Sequence, residues 1–247
     1  MLLLDAGNSR IKWALIEGER WVRQGVVESG AWPVLQQAFA ALPPPRRILA
    51  SNVAGGQAAQ QLIAACAAWG CPVEFVVASE QQCGVRNTYD QPSQLGSDRW
   101  AALIAAWHQL RAACLVVNCG TATTVDALSD EGVFLGGLIL PGVDMMRHSL
   151  FAGTAGLTAA EGSWSAFPRN TADAIASGAI QATVGAIRRQ FELLANDGAR
   201  CVLSGGAADS VQPHLNLPLL RMDNLVLQGL QLIGRQALQE QGDGDAI

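Results

Sequence analysis

Residues 2–15 read LLLDAGNSRIKWAL, and this stretch decides how the rest of the chain is read. Its apolar opening reads as a buried strand. Asp5, Gly7, Asn8 and Ser9 then form a tight polar turn, and a second apolar run from Ile11 to Ile16 leads back. A carboxylate delivered by a strand end to a glycine turn suits a metal–phosphate group, because the backbone N–H groups of such a turn approach an anion closely. The same pattern describes an ordinary hairpin. Its weight therefore depends on what the rest of the chain sets beside it.

Placed over Leu115–Leu128, the stretch matches without a gap: Asp5 falls on Asn118, Gly7 on Gly120, Asn8 on Thr121, Ala14 on Ala127 and Leu15 on Leu128. The expectation is a duplicated unit whose two glycine turns face each other across a cleft, a preferred place for a ligand. Two turns offering N–H groups and hydroxyls, with a carboxylate for a metal, make a polyphosphate clamp. Phosphoryl transfer needs such a clamp, since its catalysis is mostly positioning and charge neutralisation. The sequence has no G-x-x-x-x-G-K-[ST] and no G-x-G-x-x-G after the first strand, which sets aside P-loop and Rossmann sites.

Outward from the opening hairpin, Trp21–Glu28 reads as a third strand and Ala31–Ala41 as a helix stopped by Pro43-Pro44-Pro45. Strands are expected at Arg47–Asn52 and Glu74–Ala78, with a helix at Gln57–Trp69 between them. Cys83–Arg99 reads as a polar loop carrying the only tyrosine, Tyr89, and leads into a helix over Ser97–Ala113 with Arg111 at the edge of its buried stripe. The second copy continues with a strand at Val133–Leu140 broken by Gly136-Gly137. A helix to about Leu150, a loop over Phe151–Arg169 and a long helix from Asn170-Thr171 to about Ala195 follow. A strand at Arg200–Leu203 and a final helix capped by Asp223 and running through Gln239 close the chain, with GDGDAI frayed. The expected division is 1–113 and 114–247, each half mixing antiparallel and parallel strands with helices.

The 247 residues are 50% hydrophobic and 15% charged, with a net charge of −5, which argues against nonspecific nucleic-acid binding. The N-terminus lacks the form of a signal peptide, and no run is long and apolar enough for a membrane span. Six cysteines without a C-x-x-C pair read as reduced thiols of a cytoplasmic protein, and three scattered histidines give no zinc spacing. Lys12 is the only lysine, so a cation beside the first turn stands out.

A phosphoryl acceptor needs a general base, and Asp98 in Gly96-Ser97-Asp98-Arg99 stands at a helix start directly after the tyrosine loop. Asp in a first turn is also ordinary helix chemistry, and the helix dipole tends to hold it ionised. Arg99 suits an acidic substrate. Thr171 reads equally as an N-cap.

Taken together, DAGNSRIKWAL, Tyr89, GSDR (96–99), NCGTATTVD (118–126), GGLILPG (136–142), Asn170-Thr171 and SGG (204–206) resemble type III pantothenate kinases in order and spacing. The resemblance implies an α/β fold of two ribonuclease-H-like domains, the actin-like ATPase architecture, with mixed sheets flanked by helices and a nucleotide cleft between them. It implies ATP-dependent phosphorylation of pantothenate to 4′-phosphopantothenate, the first step towards coenzyme A. By position, Asp5, Ala6, Gly7, Asn8, Ser9, Arg10, Ile11 and Lys12 would line the ATP phosphates, Asp5 serving Mg²⁺ through water, and Thr121 would contact ATP from the second turn. Asp98 would be the base, and Tyr89, Gly96, Ser97, Asp98 and Arg99 would hold pantothenate. Thr171 would reach pantothenate from the neighbouring subunit, which implies a homodimer. The resemblance also implies a monovalent cation, K⁺ or NH₄⁺. The family's usual Asp in the second turn is Asn118 here, so cation binding there should weaken. A nucleotide-binding regulatory protein of the same fold, with lost catalysis, is the rival reading.

Overall fold

The computed structural model describes residues 1–153 and 161–244, with side chains to Gln239. It divides into two compact units, Met1–Gln109 with Leu225–Ile247, and Leu110–Asn224. The closing helix, which chain order had assigned to the second half, is thus part of the first unit.

The first unit opens with strands β1 (Leu2–Ala6), β2 (Arg10–Glu17) and β3 (Arg20–Glu28), an antiparallel meander. Helix α1 (Trp32–Ala40), strand β4 (Ile48–Asn52), helix α2 (Gly56–Cys66) and strand β5 (Val73–Phe75) follow, completing a sheet in the order β3-β2-β1-β4-β5. Leu2, Leu3 and Leu4 are all fully buried. At about 1.5–3 kcal/mol for each buried leucine, β1 is fixed as the central strand, and everything attached to its C-terminal end is fixed with it. Leu35 and Phe39 of α1 and Leu62 and Cys66 of α2 pack on the same core.

The expected structureless loop is ordered. Strand β6 (Gln81–Gln82), just before the loop, forms a short hairpin with β7 (Val85–Asn87) inside it, and a single 3₁₀ turn follows at Pro92–Gln94. Helix α3 (Ser97–Leu110) then begins where expected but ends early, because Arg111 adopts φ +47 beyond its last turn and so does not border the buried stripe.

The second unit repeats the plan. Strands β8 (Cys114–Cys119), β9 (Ala122–Leu128) and β10 (Val133–Pro141) form the antiparallel part. Helices α4 (Val143–Gly153) and α5 (Thr171–Leu194), strand β11 (Arg200–Ser204), the short helix α6 (Ala208–Val211) and strand β12 (Leu219–Arg221) follow. The order β10-β9-β8-β11-β12 reproduces β3-β2-β1-β4-β5, with β8 antiparallel to β9 and parallel to β11, as β1 is to β2 and β4. The sequence reading had no counterpart of β12, three residues long and only partly buried. Gly136, at φ +126, sits at the irregularity where β10 shifts register against β9.

The register corrects the ungapped match. Leu2 faces Leu15, whereas Leu115 faces Ala127 rather than Leu128. The second turn is one residue tighter: Gly7 N–H donates to Arg10 O (3.0 Å), but Gly120 N–H donates to Ala122 O (3.0 Å). Only the first strand and the glycine are equivalent residue for residue.

Phe151–Gly153 lies in α4 rather than in a loop, and 161–169 is irregular as expected; residues 154–160 of that expected loop and the last three of GDGDAI lie outside the described residues. The final helix, α7 (Leu225–Gly244), runs past Gln239 and packs on β1 and β4. All six cysteines are free, four of them buried. Among the described residues no helix is long and apolar enough to cross a membrane.

Candidate active site

Asp5 is carried at the C-terminal end of β1, in register with Lys12 on β2 and Ser51 on β4. A carboxylate here is half-hidden at the edge of a fully apolar strand. Burial raises its pKa to about 7; Lys12 pulls it down, and the Asp98 carboxylate pushes it up. In the turn that follows, Asn8, Ser9 and Arg10 are exposed, while Ala6 and Ile11 are fully buried. The side chains of Ala6 and Ile11 therefore serve the core, and these two can meet a ligand only through their backbone.

Asp98 lies in the first turn of α3. Its Oδ1 accepts the N–H of Arg99 at 2.8 Å. Burial nevertheless raises its pKa, and the Arg99 N–H and the Arg99 charge only partly offset this. The helix start does not hold this carboxyl low, contrary to the expectation from the dipole alone. Gly96 is required by the same geometry: a Cβ there would stand 2.7 Å from Asp98 Oδ1.

Tyr89 and Arg99 form one assembly. Arg99, only 6% exposed, donates from Nη1 to the Tyr89 hydroxyl (3.0 Å), with its guanidinium carbon 5.8 Å from the ring centroid. Tyr89 is held in turn by Asn87, which sequence reasoning passed over. The buried Asn87 side chain accepts from Tyr89 N–H (3.1 Å) and donates to Pro92 O (3.1 Å). Ser51 was also missed: its Oγ lies 2.9 Å from Ser97 Oγ, both side chains buried. Neither residue belongs to a motif. The only signal for Ser51 was a polar residue ending the apolar run Ile48–Ala50.

In the second unit Asn118 holds the place of Asp5, in register with Thr124 on β9 and Ser204 on β11. The adjoining turn, with Thr121 exposed, is enclosed by two glycines. A Cβ on Gly142 would lie 2.3 Å from Gly120 O, and one on Gly205 2.3 Å from Cys119 O. These are the glycines of the GGLILPG and SGG motifs, and the close backbone approach explains both. Thr171 is not a cap. Asn170 caps α5 by accepting Asp173 N–H (2.9 Å), and Asp173 takes a bond back from the Asn170 amide (2.6 Å), which leaves the exposed Thr171 as the first helical residue.

The first unit thus brings together Asp5, Lys12, Asp98, Arg99, Tyr89, Gly96 and Ser97, while Asn118, Thr121 and Thr171 belong to the second. Among the described residues no group of three or more His, Cys, Asp or Glu side chains could by itself hold a metal. Asp5 and Asp98 are nonetheless two interacting carboxyls, both raised by burial. That donor chemistry fits a hard divalent cation shared with phosphate oxygens rather than enclosed by protein.

Residues 1–193 match the sequence profile of the type III pantothenate kinases. A type III pantothenate kinase of Aromatoleum aromaticum is 51% identical over 96% of this chain and 98% of its own length. Another, of Nitrosospira multiformis, is 47% identical over 99% of this chain and 94% of its own. Among solved structures, a Baf family protein of Campylobacter jejuni superposes with a TM-score of 0.61 at 20% identity, covering 97% of this chain and all of that one. MreB5 of Spiroplasma citri, bound to ADP, does so with a TM-score of 0.52 at 12% identity and 96% coverage of both chains. The two sheets, repeating one strand order with helices against them, have the actin-like ATPase and sugar-kinase fold. On its profile match and its near-full-length relatives, the chain belongs to the type III pantothenate kinase family.

Proposed function

We propose that this protein phosphorylates pantothenate with ATP, giving 4′-phosphopantothenate and ADP, the entry to coenzyme A synthesis. The observation that carries the reading is the head of α3, where Asp98, its pKa raised by burial, stands next to Arg99 and its partner Tyr89, in a chain of this family. A base works best with a pKa drawn towards the working pH. As the pantothenate hydroxyl oxygen bonds to the γ-phosphorus, the bond from that phosphorus to the bridging oxygen breaks. ADP leaves, and the hydroxyl proton passes to Asp98. Arg99, desolvated and planar, is suited to the pantothenate carboxylate, and Tyr89, Gly96 and Ser97 complete that site.

The turn Asp5–Lys12 takes the ATP phosphates through its backbone N–H groups, the exposed Asn8, Ser9 and Arg10, and Lys12; Thr121 is a further ATP contact. Mg²⁺, held through water by Asp5, would supply charge neutralisation on the phosphates. Asn118 offers an uncharged oxygen to K⁺ or NH₄⁺. The protein acts as a cytoplasmic homodimer in which Thr171 reaches the partner's pantothenate. Support for the dimer comes from Thr171 being free of capping and lining an apolar groove of about 450 Å³ with Met146, Leu150, Ala174 and Ile175. Six free thiols fit a reducing compartment.

The test is incubation with ATP, Mg²⁺ and pantothenate, with and without K⁺. Equal amounts of ADP and 4′-phosphopantothenate are expected. ATP consumption that ignores pantothenate would contradict the substrate, and no turnover at all would favour the regulatory reading.

A further inference from the structure

Ser51 is wholly buried at the end of β4, in register with Asp5. The C-terminal end of β4 is tied to that of β1 by Val53 N–H donating to Ala6 O at 3.0 Å. The same end backs the start of α3: a Cβ on Gly96 would lie 3.8 Å from Val53 Cγ1 and 2.7 Å from Asp98 Oδ1. The same strand end and helix start share the hydroxyl pair, Ser51 Oγ to Ser97 Oγ at 2.9 Å. An apolar residue would serve a fully buried strand position at least as well, since a hydroxyl there is tolerated only when hydrogen-bonded. The bond joins the strand beside Asp5 to the residue preceding Asp98.

We propose that Ser51 is a positioning residue for phosphoryl transfer: through Ser97 it fixes the first turn of α3 against the ends of β1 and β4, and so sets the Asp98 carboxylate relative to Asp5. The role rests on Asp98 being the base.

The test compares Ser51→Ala, Ser97→Ala, the double variant, Ser51→Thr and Asp98→Asn by steady-state kinetics and by melting. Ser51→Ala is expected to lower kcat about tenfold, with KM for ATP within about twofold and Tm near that of the parent. Ser51→Thr, which keeps the hydroxyl, recovers most of the rate. The double variant is no worse than Ser97→Ala, because that variant already removes the bond that Ser51→Ala removes. Should Ser51→Ala fail to fold, Ser51→Cys, which keeps the volume but weakens the bond, replaces it, because Ser97 also belongs to the proposed pantothenate site. Parental kcat in Ser51→Ala, or additive losses in the double, overturn the role. Asp98→Asn separates the two claims: if it retains turnover, the base assignment fails, and if it is inactive while Ser51→Ala is unaffected, only the positioning role fails.

Discussion

The Asp98 carboxylate lies directly over the backbone of Gly96, close enough that the smallest side chain there would stand 2.7 Å from Oδ1. Glycine at 96 is therefore a condition for where Asp98 points. Gly96→Ala should force Asp98 into another rotamer and lower kcat by about 10²-fold, the scale expected of a misplacement near 1 Å. Its Tm should stay within a few degrees of the parent. Steady-state kinetics with a parallel melt checks this.

Asp5 should make the ligand-free protein less stable as pH rises. Its folded pKa, about 7, is above the ordinary value of 3.8, so the folded state binds the proton more tightly than the unfolded one. The stabilisation is full below about pH 4 and is lost as pH rises towards 7 and above, with an upper bound of about 4 kcal/mol. Asp98, raised in the same sense, adds to the slope. Melts of the parent and Asp5→Asn between pH 4 and 8 should show a flatter dependence in the variant. Equal slopes would contradict the assignment.

Gly205→Ala should damage the second turn. The position has φ +98 and faces Cys119 O at 2.3 Å from an added Cβ, so both backbone conformation and space exclude a side chain. A loss of about 2 kcal/mol or more in stability is expected, together with a raised KM for ATP. Denaturant unfolding and ATP titration would measure the two effects.

Asn118→Asp restores a carboxylate at the place equivalent to Asp5. The half-saturating K⁺ concentration should fall by about tenfold, the value of roughly 1.4 kcal/mol of added attraction. Rate measured against KCl reports it, and an unchanged midpoint would remove Asn118 from the cation site.

Much of this arrangement was legible in the chain. The apolar run Leu2–Leu4, the glycine turn and their copy at 115–120 led to a duplicated unit, which the repeated strand order bears out; the order itself shows only in the strand pairings. The one-residue difference between the turns was not legible, since Leu15 over Leu128 looks like a match and only the Leu115–Ala127 pairing reveals the shift. The hairpin at Gln81–Asn87 was missed because Gln81 and Gln82 carry no strand signal and pair over only two positions. Helix α7 was misassigned because chain order does not show which sheet an amphipathic helix covers. Asp98, Arg99 and Tyr89 could be picked from the chain as a motif; Ser51 emerges only from its hydrogen bond to Ser97, 46 positions away, and Asn87 only from its local bonds to Tyr89 and Pro92.

The central claim, that Asp98 takes the proton from the acceptor hydroxyl, is tested most directly by the turnover of Asp98→Asn with ATP, Mg²⁺ and pantothenate, alongside ATP binding by calorimetry. The account predicts turnover lowered by at least about 10²-fold with ATP affinity nearly unchanged; near-parental turnover in that variant would contradict it.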